Sequence, residues 1–152
     1  MKAVIQRVKN ACVKIDGTVY SEINKGILVL AGFRKDDCIK DIEYLTDKII
    51  NLRIFEDSDG KMNLNINQIN GEILIVPQFT LYGSCLRGNR PDFIEAADIE
   101  TGNALFKNLK NYCLTKNDIV IKYGKYQAYM EVGLQNDGPV TFIIESADKI
   151  KR

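Results

Sequence analysis

Two short stretches of the chain carry residue types that could do chemistry. In Pro77-Gln78-Phe79-Thr80-Leu81 an amide and a hydroxyl stand two positions apart. On an extended chain residues i and i+2 share a face, so Gln78 and Thr80 would point the same way from the end of an apolar strand. Such a pair can hold a polar substrate by hydrogen bonds; it is also what a strand end facing solvent would carry. The second stretch is Asn136-Asp137-Gly138-Pro139-Val140-Thr141. Glycine ahead of proline can adopt conformations closed to other residues, and an X-Pro bond takes the cis form for only about 0.5–1 kcal/mol. A turn of that kind can aim carbonyl oxygens into a neighbouring pocket, although Gly-Pro also punctuates ordinary hairpin turns.

Absences narrow the chemistry further. The chain has no histidine, so Ser-His-Asp and Cys-His catalysis are excluded, and so is a histidine-ligated metal. Any reaction must use carboxylates, hydroxyls, amides, backbone groups or the substrate itself. Cys12, Cys38, Cys85 and Cys113 are spaced widely, with no Cys-x-x-Cys pair, which argues against structural zinc and a redox dithiol. Asp57-Ser58-Asp59-Gly60 resembles the start of a calcium loop but lacks the downstream ligands, and reads as a plain turn. No cluster implies a metal or a cofactor. The net charge of +1 does not announce a nucleic-acid binder. Local basic clusters exist at Arg87 with Arg90 and at Lys149, Lys151 and Arg152, and a solvated surface accounts for them.

The elements that position these stretches are mostly strands. Lys2 to Val8 and Ala11 to Ile15 alternate, Asp16-Gly17 signals a tight turn, and Thr18 to Ile23 follows. Ile27 to Phe33 is nearly all apolar, as expected of a strand covered on both faces. Asp36 and Asp37 are candidate caps for a helix to about Leu52, in which Ile39, Ile42, Leu45, Ile49 and Leu52 recur at helical spacing. A short strand is expected at Arg53 to Phe55. Glu72 to Val76 is another apolar strand, continued through Pro77 to Tyr82, with Gly83 to Pro91 as a loop. Asp98 can cap a second helix to about Tyr112. Strands at Ile119 to Lys122, Tyr126 to Leu134 and Val140 to Glu145 close the chain, with Asn136 to Pro139 turning between the last two. The apolar runs are too short to span a bilayer, and Lys2 comes too early for a signal peptide. The expectation is one cytoplasmic α/β domain over residues 1–152, with stacked mixed sheets and two main helices on one side in three β/β/α layers.

Taken in order, several motifs are shared with one family. Ile5-Gln6-Arg7-Val8, Arg53-Ile54-Phe55 with Gly60-Lys61-Met62-Asn63-Leu64-Asn65, Gln78-Phe79-Thr80-Leu81, Arg87-Gly88 with Arg90-Pro91, and Asn136 to Thr141 together resemble the D-aminoacyl-tRNA deacylases over nearly the whole chain. The resemblance implies a homodimer with active sites at the subunit interface and aminoacyl-tRNA as substrate. It assigns Gln78, Phe79 and Thr80 to the catalytic pocket for the 3′ end, and Gly138 and Pro139 to a Gly-cis-Pro motif that reaches the partner's pocket. Tyr126 and Met130 match the adenosine-binding wall, with Arg7 and Pro77 near the site and Arg87 and Arg90 as phosphate contacts.

One position departs. The family usually carries serine where this chain has Pro77, and proline has neither hydroxyl nor N–H, which removes a serine nucleophile. A related branch that edits L-alanine mischarged on threonine tRNA resembles this chain in having proline there, but has alanine at the position of Phe79 and differs at the Gly-Pro segment. The resemblance therefore implies hydrolysis of the D-aminoacyl ester, with glycyl-tRNA also at risk. A third alternative is a dimer that binds nucleic acid without catalysis.

Overall fold

The computed structural model describes residues 1–86, 88–116 and 118–148. Strand β1 (Lys2–Ile15) and strand β2 (Thr18–Ile23) form the predicted hairpin. Its two turn residues, Asp16 and Gly17, both have positive φ, at 52° and 74°, as a two-residue loop of the hairpin type requires. The two expected pieces of β1 are one strand. Between them Lys9 and Asn10 are exposed, and the register against the last strand shifts at this point. A bulge of that kind bends a strand without ending it.

Strand β3 (Gly26–Gly32) lies antiparallel to β1. Helix α1 (Ile39–Asn51) then crosses over, a small ribbon of β4 (Phe55–Glu56) and β5 (Met62–Leu64) follows, and β6 (Glu72–Pro77) returns parallel to β3. Helix α2 (Ile99–Cys113) makes the second crossover and leads to β7 (Val120–Tyr123), parallel to β6. The final strand β8 (Glu131–Glu145) pairs with β1 along nearly its full length. The sheet order is β2-β1-β3-β6-β7, with β8 on β1.

This mixed sheet folds over itself. Lys122 on β7 donates to the Glu22 carbonyl on β2 at 2.7 Å and pairs with Glu72 on β6 at 3.4 Å. Alternation along the central strands then feeds two cores. Ile27, Val29, Ala31, Ile73 and Ile75 pack with Ile42, Leu45, Leu105, Phe106 and Leu109 of the helices. Leu28, Leu74 and Val76 pack with Val8, Ala11, Val13 and Ile23 inside the fold of the sheet. Helices, central sheet and the folded-over strands make three layers. The all-apolar run at Ile27 has its cause here, since each face of β3 meets a different core.

Several local expectations change. The cap of α1 is Cys38, not Asp36 or Asp37. The Asp41 carboxylate accepts the Cys38 N–H at 2.9 Å. Asp37 instead is buried against the amino group of Met1 and accepts the Arg34 N–H at 2.7 Å. On α1, Ile39 is exposed, and Thr46 and Ile50 join the buried stripe. The strand expected at Arg53 begins only at Phe55. Asp98 caps α2 as expected, accepting the Thr101 N–H at 2.8 Å.

β3 and β6 approach closely enough to exclude any side chain at Gly26. A Cβ built there would lie 1.8 Å from the Glu72 carbonyl oxygen, and backbone on a central strand cannot yield cheaply. Gly26→Ala is expected to lower stability by about 3 kcal/mol, read as a shifted urea midpoint at unchanged slope.

Candidate active site

The parallel ladder between β6 and β7 ends early. Ile75 pairs with Tyr123, and the Gly124 N–H donates to the Ile75 carbonyl at 2.8 Å. In a parallel ladder the next rung on this side would need an N–H from residue 77. Proline has none, so β7 separates from β6. On the other side, Pro77 still pairs in register with Ala31, and the Gln78 N–H reaches the Ala31 carbonyl at 2.8 Å. Residues 124–130 peel away and form one wall of a cleft of about 880 Å³.

The opposite wall is the turn that follows β6. The sequence predicts continued strand through Tyr82, but Phe79–Tyr82 is a 3₁₀ turn. Gln78 and Thr80 still meet, because the turn brings the Gln78 amide nitrogen onto the Thr80 hydroxyl. The shared face comes from a tight turn and not from strand alternation. Phe79 is exposed and packs its ring on Phe93, with centroids 5.0 Å apart.

Five of the residues singled out from sequence line this cleft: Pro77, Gln78, Phe79, Tyr126 and Met130. Thr80 adjoins it through Gln78. The stretch expected as strand from Tyr126 reaches β8 only at Glu131, and Gln127 has φ 61°, so Tyr126 and Met130 sit on loop backbone. Sequence reasoning missed Phe93, Asp98, Ile99 and Tyr129 as cleft residues. Asp98 was legible only as a helix cap, and Tyr129, 89% exposed, lies in no motif. Asp98 serves both ends: the Thr101 N–H and hydroxyl hold its carboxyl below the usual carboxylate range. Burial, and secondarily the charge of Asp98, raises the Tyr126 phenol above its ordinary value, so it stays neutral in the cleft. Among the described residues, no group of three His, Cys, Asp or Glu could hold a metal ion.

Arg7, Gly138 and Pro139 form a separate group. The sequence predicts a chain reversal at Asn136 to Pro139, but β8 runs straight through it, pairing with the same strand on both sides. The segment is a bulge. Gly138 has φ 142°, a value that favours glycine, and the Gly138–Pro139 bond is cis. Asn136 ties its ends together, accepting the Val140 N–H at 2.8 Å and donating to Thr141 Oγ1 at 3.1 Å. Beneath it the buried Arg7 donates from Nε to the Asp137 carbonyl at 2.9 Å and from Nη1 to the Ile54 carbonyl at 2.7 Å. Neither Gly138 nor Pro139 lines the cleft of its own chain. Both are exposed. Arg90 is exposed on the loop after the 3₁₀ turn, whereas Arg87, Lys149, Lys151 and Arg152 lie outside the described residues.

The family described as D-Tyr-tRNA(Tyr) deacylase matches residues 4–145. The chain belongs to that family. The D-aminoacyl-tRNA deacylase of Thermosipho africanus is 51% identical over 96% of this chain and 97% of its own. That of Dictyoglomus turgidum is 51% identical over 97% of this chain and 94% of its own. A solved structure described as c-Myc DNA Unwinding Element Binding Protein superposes with a TM-score of 0.89 at 43% identity, covering 95% of this chain and 98% of its own. A structure described as a probable eukaryotic D-amino acid tRNA deacylase, 14% identical with a TM-score of 0.79, shares the fold over 95% of this chain and 98% of its own.

In this deacylase-family chain the guanidinium of Arg7 is the only described side chain that donates both to the bulge and to the Ile54 carbonyl. Arg7→Met leaves those carbonyls without their donor and is expected to cost about 2 kcal/mol in urea unfolding. Arg7→Lys should recover less than half, because one ammonium cannot reproduce the two-sided fork.

Proposed function

We propose that the cleft receives the 3′ end of an aminoacyl-tRNA and that the bulge of a second copy closes it. The chain is a D-aminoacyl-tRNA deacylase: it hydrolyses the ester that joins a D-amino acid to the terminal ribose, releasing the amino acid and tRNA, and works in the cytoplasm as a proofreading step. The observation that carries this reading is the separation of Gln78 and its neighbours from Gly138 and Pro139, two exposed groups, each incomplete alone, in a chain of this family. Ile143 is 68% exposed on β8 beside the bulge, an apolar contact that a second copy buries in a homodimer.

Among the described residues, no group lining the cleft is suited to activate a protein nucleophile. The Thr80 hydroxyl accepts from Gln78, and the Asp98 carboxylate is occupied at the start of α2. The ribose 2′-hydroxyl of the substrate therefore assists the attack on the ester carbonyl. The backbone N–H groups of Phe79 and Thr80, which open a 3₁₀ turn and so have no acceptor within it, face the developing oxyanion. One such donor contributes about 10²–10³ in rate. Gln78 and Phe79 position the ester, and Tyr126, Met130 and Pro77 hold the terminal adenosine. The Gly138 and Pro139 carbonyls of the partner subunit select the D-isomer, against which an L side chain collides. Glycine has no side chain to collide, so glycyl-tRNA is cleaved too. Arg90, and Arg87 with it, meets phosphates, so affinity falls with salt.

The decisive measurement is release of amino acid from D-tyrosyl-tRNA, L-tyrosyl-tRNA and L-alanyl-tRNA for threonine. Cleavage of the first alone is expected. Cleavage of the third would move the chain to the alanine-editing branch that Pro77 resembles, and binding without release would leave a nucleic-acid-binding dimer. With D-tyrosyl-tRNA ending in 2′-deoxyadenosine the rate should fall about 100-fold or more, within the range of a lost acid–base group. Thr80→Ala should keep most of the activity; a loss as large as that of the deoxy substrate would make Thr80 the nucleophile.

A further inference from the structure

The wall of the cleft formed by residues 126–130 rests on α2 through Tyr126. Its ring stacks on Phe106, with centroids 5.9 Å apart and planes 29° from parallel. Phe106 in turn meets Tyr123 edge-on at 6.2 Å. The Tyr126 hydroxyl reaches the buried face of α2 at Gly102. A Cβ built on Gly102 would lie 2.1 Å from the phenol oxygen, 3.2 Å from Cζ and 3.7 Å from Ala97 Cβ.

Glycine inside a helix costs roughly 1 kcal/mol relative to alanine. The backbone offers no reason for it here, since Gly102 has no positive φ and its N–H makes an ordinary helical bond to the Asp98 carbonyl at 2.8 Å. What the absent side chain provides is a seat for the phenol. The ring cannot retreat past Phe106, so a methyl group at residue 102 would drive the hydroxyl away from α2 and into the cleft that Tyr126 lines.

We infer that Gly102 is a positioning residue: its missing side chain forms the socket of Tyr126 and thereby sets the width of the cleft where the terminal nucleoside is held. This rests on the reading of the cleft as the aminoacyl-tRNA 3′-end site. Gly102 itself does not line the cleft, so any effect on substrate passes through Tyr126.

The test compares the full-length chain with Gly102→Ala, Tyr126→Phe and the double variant, using D-tyrosyl-tRNA hydrolysis and thermal unfolding. Gly102→Ala is expected to raise KM about tenfold with kcat unchanged, the signature of lost ground-state fit. Its Tm should hold or rise, because alanine favours the helix. In the double variant the phenol oxygen at 2.1 Å is gone and only the ring carbon at 3.2 Å must give slightly, so most of the KM increase should be recovered relative to Tyr126→Phe alone, a non-additive result for residues in contact. An unchanged KM in Gly102→Ala overturns the inference, as does a double variant no better than Gly102→Ala. A wild-type chain that cleaves no D-tyrosyl-tRNA overturns the reading of the cleft, and the inference with it; a wild type that cleaves while Gly102→Ala is unaffected overturns the inference alone.

Discussion

β6 pairs on one edge to its last residue and on the other only to Ile75, and the cause is the missing N–H of Pro77. A central strand with one edge closed and one edge open forces its neighbour to diverge. The divergence of residues 124–130 is what makes room for a cleft between Phe79 on one side and Tyr126 to Met130 on the other. Any residue other than proline at this position would offer an N–H for another rung. The pyrrolidine ring of Pro77 and the side chain of Met130 both line the cleft.

The second constraint is Arg7. A buried guanidinium needs its donors matched, and here backbone carbonyls of Ile54 and Asp137 accept from it, while Glu56 and Asp137 lie 3.7 Å away as partial counter-charges. The bulge at Gly138 is thus anchored from below by a residue of β1, and from its own ends by Asn136. An irregular segment in the middle of a 15-residue strand would ordinarily be a weak point. With its ends tied and one carbonyl held, it becomes a rigid projection on an exposed face.

Much of this was legible in the sequence, and the failures share a cause. Alternation and turn signals gave β2, β3, β6 and the two halves of β1, helical spacing gave α1 and the Asp98 cap gave α2, because those signals are local: Asp98 and Asp16-Gly17 act on their immediate neighbours. The double-sided burial of Ile27 to Ala31 was legible as well, since a strand with no polar residue on either face must bury both. The 3₁₀ turn at Phe79 was not, because Gln78 to Tyr82 has strand-like residues and no glycine or proline after Pro77 to stop it. Nor was the uninterrupted β8. Asn-Asp-Gly-Pro is the composition of a chain reversal, and only the non-local register with β1 keeps the strand going. Of the cleft residues, Gln78 stood out by its spacing from Thr80, while Phe79, Tyr126 and Met130 came from resemblance; Phe93, Ile99 and Tyr129 join them through tertiary packing, for which no nearest-neighbour signal exists.

A chain without histidine, whose one cleft carboxylate among the described residues, Asp98, sits in a helix cap, has little capacity for proton transfer there. On the proposed reading, catalysis in such a site draws on alignment and on main-chain dipoles that are already in place before the substrate arrives. An aminoacyl ester is activated enough to need no more, and its ribose carries a hydroxyl next to the reacting bond. The same economy suits a selector of handedness. Side chains that mould themselves to a ligand would accept both mirror images, whereas on the proposed reading a bulge tied by Arg7 at the Asp137 carbonyl and by Asn136 at Val140 and Thr141 presents fixed backbone to an L side chain. A tied bulge and a cleft with little acid–base capacity belong together on the proposed reading, and shape rather than acid–base chemistry decides what is cut.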